Sequence, residues 1–223
     1  MQPLNPTKEI SLNIIALSAF TIMLGSLLGP LMHFSSLIPI GAVMMLLVGT
    51  SLDNFFLQSR CAGLILDTIA RRDPAYGQRI ICHEAGHFLV AQILNIPVTS
   101  YSLSAWEAWQ QGQTGQGGVA FAPPPSPISG KLLQNYCAVW MAGIAAEQMI
   151  YGDNIGGKED RQQLRSILKM AGCSTAGMIR VESAALLQAQ EQLALQRPAF
   201  DSLLIALEER RSVTACLELL TFT

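Results

Sequence analysis

Charge is scarce in this 223-residue chain. Asp, Glu, Lys and Arg make up 13% of it, against about 25% in an average soluble domain. The shortage is local, because from Ile10 to Leu52 none of the four occurs. A hydrocarbon core about 30 Å thick takes about 20 helical residues, so the run is long enough for two spans. We expect them at 10–29 and 36–52, joined by a turn around Gly29-Pro30 and His33-Phe34-Ser35-Ser36. A cleaved signal peptide has a shorter apolar core behind a basic start, and a hairpin of soluble helices keeps a polar face; neither fits this run. Lys8, Arg60, Arg71 and Arg72 flank the pair, whereas the turn carries no Lys or Arg. Both ends are therefore expected on the cytoplasmic side, or an equivalent one such as a stroma.

Other absences exclude other classes. The five cysteines (Cys61, Cys82, Cys137, Cys173, Cys216) include no Cys-x-x-Cys pair. That argues against a disulfide framework and a cysteine zinc site. A net charge of −2 leaves no basic footprint for nucleic acid. There is no internal repeat.

Beyond Leu52 the pattern is that of ordinary amphipathic helices. One is expected from Asn54 to Arg71. Asp73-Pro74 reads as a cap followed by a first helical residue, opening a helix to about Leu94. Val98 to Ser104 alternates as a strand does, and "GVAFA" supplies a second. The Gln/Gly-rich stretch between them suggests a hairpin with a long mobile tip. After a stiff connector at Pro123 to Pro127, helices are expected to about Tyr151, from near Gly157, and onward with a break at Pro198. The fold class is mainly α: a two-helix transmembrane hairpin at 1–53, then an α-helical domain at 54–223 with a small β-hairpin.

The chemistry sits in "ICHEAGHFLV". His83 and His87 are four apart, so one helical face presents both imidazoles to a single metal ion. Glu84 falls beside that ion without ligating it, placed to move a proton between water and a leaving amine, as in His-Glu-x-x-His metalloproteases. Cys82 points about 100° away around the helix and reads as packing. A catalytic zinc takes a third protein ligand. Glu107, Glu147, Asp153 and Asp160 are the carboxylates to consider. Arg71, Arg72, Asp73 and Arg79 ahead of the motif argue against an intramembrane protease.

"HEAGH", then "MAGIAAEQMIYG", then "GGKEDRQQLRSILKMAG" together resemble the peptidase domain of FtsH-type membrane zinc proteases, from about Asn54 to Ser174. The resemblance implies zinc held by His83, His87 and Asp160, with Glu84 as general base and Glu147 as a supporting carboxylate or reserve ligand. Gln148, Ile144 and Glu159 depart from the family pattern without removing a ligand. The family's ATPase domain has no room between the second span and the peptidase helix, about twenty residues apart. "GDNIGGKE" (Gly152 to Glu159) is no substitute, because it ends in Glu where a phosphate loop needs Ser or Thr. The implied protein is a membrane-anchored zinc metalloendopeptidase without its own motor. Its substrates would be unfolded or flexible protein segments, and its partners an ATPase-bearing relative or further copies of itself. The alternative is a non-proteolytic scaffold or regulatory subunit of such a protease complex.

Overall fold

The uncharged run forms α1 (Pro6–Leu28) and α2 (Leu37–Phe56). The computed structural model describes residues 6–29, 35, 37–56, 60–113, 117–125 and 128–220. From Glu9 to Leu28, α1 is long and apolar enough to cross a membrane, and none of that window is buried. The apolar stretch of α2, Leu37–Asp53, is shorter. One membrane-length helix therefore stands where the sequence suggests two, and His33 lies outside the described residues. Three hydroxyls on these helices are satisfied locally. The hydroxyls of Thr21, Ser26 and Thr50 donate to the carbonyls of Leu17, Ile22 and Leu46 at 2.8–2.9 Å, which spares an apolar surround any unpaired group.

Two compact units divide the chain. The first is Met1–Pro74 with Ser104–Gly117. Within it, the helix expected over Asn54 to Arg71 is two pieces, because α2 continues to Phe56 and α3 is Arg60–Ala70. Asp53 accepts the N–H groups of Cys61 and Ala62, both at 3.0 Å, which caps α3 from the end of α2. A short helix, α5 (Ala105–Gln110), packs against α3.

The second unit is Ala75–Leu103 with Gly118–Thr223. Helix α4 (Pro74–Ile93) starts at the proline, whose missing N–H needs no partner there. Two residues past its end, Asn95 turns the chain away in the left-handed region with φ 55°. Strand β1 (Val98–Ser102) pairs antiparallel with β2 (Gly118–Phe121), Tyr101 opposite Val119, with an irregularity between Val98 and Ser100. The connection between the strands carries α5 ahead of the Gln/Gly-rich stretch, in which residues 114–116 lie outside the described residues.

Helix α6 (Gly130–Tyr151) is the centre of this unit and is buried without a break from Tyr136 to Glu147. Helices α7 (Lys158–Met170) and α8 (Thr175–Leu195) pack on it. Then follow α9 (Arg197–Glu208) and α10 (Val213–Leu219). The helical run breaks where expected, between Leu195 and Arg197, and Pro198 sits in the first turn of α9, where a proline is tolerated. Gly86 brings α4 close to α6, for a Cβ there would lie 2.5 Å from the Ala142 carbonyl oxygen and 2.7 Å from the Ala146 Cβ.

Candidate metal centre

Helix α4 sets His83 and His87 one turn apart, their rings edge-to-face with centroids 4.7 Å apart. Asp160, in the first turn of α7, faces both. Its Oδ2 is 3.0 Å from His83 Nε2 and its Oδ1 is 3.4 Å from His87 Nε2. One ligand atom from each of the three falls within 4.8 Å of the others. Gly157, just ahead of Asp160, has φ +83°, and any Cβ on it would run into Ile144. Glycine therefore suits both the turn into α7 and the close fit on α6.

The other ring nitrogens decide the chemistry. His87 Nδ1 is 2.7 Å from the Val139 carbonyl, which only accepts, so Nδ1 carries the proton and donates. His83 Nδ1 is 2.6 Å from Glu147 Oε1. Burial alone would raise the Glu147 pKa, but the His83 hydrogen bond and the N–H groups of Ile155 and Gly156 hold it below the usual carboxylate value. Ionised, Glu147 accepts from His83. Each neutral imidazole thus turns a bare Nε2 lone pair toward Asp160, itself an acceptor. Three acceptors converge with no donor among them, which is a cradle for a cation.

In the metal-free chain protons fill that role. Burial pulls His83 and His87 down, yet the Asp160 and Glu147 carboxylates outweigh it and raise His83 well above the ordinary histidine value; Asp160 and Glu84 do the same, more mildly, for His87. Burial would raise Asp160, but the two imidazoles hold it well below its ordinary range. A buried His-His-Asp set can bind a metal ion, and two imidazoles with a carboxylate suit several divalent transition metals.

Glu84 is 7% exposed, and its Oε2 has no hydrogen-bond partner among the described residues. Burial pushes its pKa up, while His87, His83 and the Val119 N–H of β2 act in the opposite sense. Such an orphaned carboxylate oxygen is costly in a core.

The four carboxylates considered from sequence have separate places. Asp160 faces the imidazole pair, and Glu147 sits behind His83. Asp153 Oδ1 pairs with Arg79 Nη2 at 2.7 Å. Glu107 belongs to α5 in the other unit. Arg79 also reaches Glu147 Oε2 at 3.5 Å and lies 4.3 Å over the Tyr151 ring. Sequence reading missed Gly143, where any Cβ would run into the His83 ring, and Gly156, where one would come within 2.8 Å of Glu147 Oε1. A signal for Gly143 exists: it precedes Glu147 by four residues and so shares its helix face. Compared with known proteins, the chain matches no protein-family model and no curated protein.

Proposed function

We propose that the chain is a membrane-anchored zinc metalloendopeptidase of the FtsH-like kind, with His83, His87 and Asp160 as ligands and Glu84 as general base. The observation that carries the reading is the convergence of three lone-pair donors beside a buried carboxylate whose Oε2 has no partner. A zinc ion held there would supply a Lewis acid for a substrate carbonyl and an acidified water as nucleophile. The chain's own groups supply the rest. Glu84 takes the proton of the attacking water on Oε2 and delivers it to the leaving amine. Val119 N–H holds the carboxylate from β2. Glu147 and the Val139 carbonyl fix the two imidazoles in the tautomer that leaves Nε2 for the metal.

The anchor is α1 with α2 as a second span, and the basic flanks put the catalytic portion on the cytoplasmic or stromal side. Between Phe56 and Pro74 there is no room for an ATPase domain, so substrates are unfolded or flexible segments, or are delivered by an ATPase-bearing partner. The test is degradation of casein by the detergent-solubilised chain, with and without chelator, beside Glu84→Gln. Loss of a general base costs about 10²–10⁴-fold in rate. Cleavage that the variant retains in full sinks the mechanism.

A further inference from the structure

Helix α5 turns two faces in different directions. Ala105 and Ala108 are buried, while Trp106 and Trp109 are 53% and 46% exposed, their ring centroids 4.9 Å apart. Two neighbouring tryptophans on an open face are unusual, because indole is the side chain with the largest apolar area to lose to water.

The helix that presents them is firmly held. Ser104 Oγ accepts the Glu107 N–H at 3.1 Å and caps it. Buried Asp67 of α3 accepts the Ala105 N–H at 3.0 Å and is itself held by Arg71 at 2.9 Å. Helix α3 in turn packs against α1 and α2, and its N-terminus is capped by Asp53, where the apolar stretch of α2 ends. The pair is thus fixed, within one compact unit, to the end of the helices read as membrane spans.

We propose that Trp106 and Trp109 are an interfacial anchor, their rings seated at headgroup level in the same bilayer that α1 crosses. The occupant is a lipid surface because of the neighbouring chemistry. From Ser104 to Gln113 the only charge is Glu107, and the remainder includes Gln and Gly residues that headgroups and their water can solvate. Indole prefers that depth, with its ring in the acyl boundary and its N–H in the polar layer. The inference rests on the membrane part of the proposed function and is independent of the proteolytic part.

The chain has three tryptophans, and the third, Trp140, is buried in the other unit. In full-length Trp140→Phe, only the α5 pair emits. Reconstituted in phosphatidylcholine vesicles, this protein should lose about half its emission to a nitroxide on the lipid headgroup, less to one deep in the acyl chain, and little to aqueous iodide. Quenching by iodide without quenching by lipid overturns the proposal, as does stronger quenching from the deep position. If Trp140→Phe does not fold, the unaltered chain is compared with Trp106→Phe/Trp109→Phe, in which headgroup quenching must disappear. Co-flotation with the vesicles separates the two ideas. A chain that does not float overturns the membrane reading and this one together, whereas one that floats without headgroup quenching overturns this one alone.

Discussion

Glu147 takes no direct part in the ring of acceptors, yet it determines what His83 can do. Its Oε1 holds the Nδ1 proton, and its other contacts, to Ile155, Gly156 and Arg79, keep it ionised. Glu147→Gln weakens that hold, and removing such a supporting carboxylate costs about 10–100-fold in metal affinity. A competition titration of the variant, with its helical circular dichroism unchanged, checks this. The protonation states give a second prediction. The raised histidines stabilise the metal-free fold below their unfolded value of 6.5, and that contribution is lost as pH rises through their folded values. Asp160, depressed, contributes above its unfolded value of 3.8 and loses that only as pH falls through its folded value. Above the histidine values the acceptors face one another with no proton between them. The rise in Tm on adding zinc should therefore grow from mildly acidic to alkaline pH; a shift that ignores pH contradicts the cradle. At this scale the sequence is legible where spacing alone does the work, as with His83, Glu84 and His87. Val139 was not legible, since its role is a backbone carbonyl brought near by folding.

At the scale of elements, the site is a consequence of how closely α4 and α7 approach α6. Gly143 leaves the space the His83 ring occupies, and Gly86 lets α4 come within contact of Ala142 and Ala146. Gly143→Val should displace the ring and lower metal affinity about tenfold or more. Phe88→Ala, on α4 and within the core, should instead cost about 3–5 kcal/mol of stability through the cavity it leaves. Chemical denaturation and metal titration of both variants separate the two effects. Periodicity and punctuation were enough to foresee α4, α6 and α7, because Pro74, Gly152 and Gly157 mark their ends. Helix α5 is not foreseen, because it is only six residues long and lies between an expected strand and a Gln/Gly-rich stretch. Its signal was present all the same: Ser104 and Glu107 are the Ser-x-x-Glu spacing of a helix start, and Ser104 does cap it.

For the whole molecule, the stretch without charge is what most clearly departs from the composition of an average soluble domain. Residues such as Leu17, Met23 and Leu27 on α1 are exposed on all sides of the helix, a surface that water disfavours and hydrocarbon does not. Expressed in cells, the chain should stay with membranes through an alkaline carbonate wash; release into the supernatant contradicts a spanning α1. The long apolar α1 was legible from composition, because length and lack of charge are read directly from the sequence, whereas the shorter apolar stretch of α2 is not of membrane length. The division into two units was not legible, because Ser104–Gly117 joins the first through tertiary contacts of α5 with α3, among them the hydrogen bond between Asp67 and Ala105. We propose that His83, His87 and Asp160 hold a metal ion beside which Glu84 acts only as a base. Elemental analysis of the purified chain, of Glu84→Gln and of His83→Ala/His87→Ala tests it most directly. About one zinc per chain is expected in the first two and none in the third. Equal metal in all three, or none in the unaltered chain at neutral pH with zinc supplied, contradicts it.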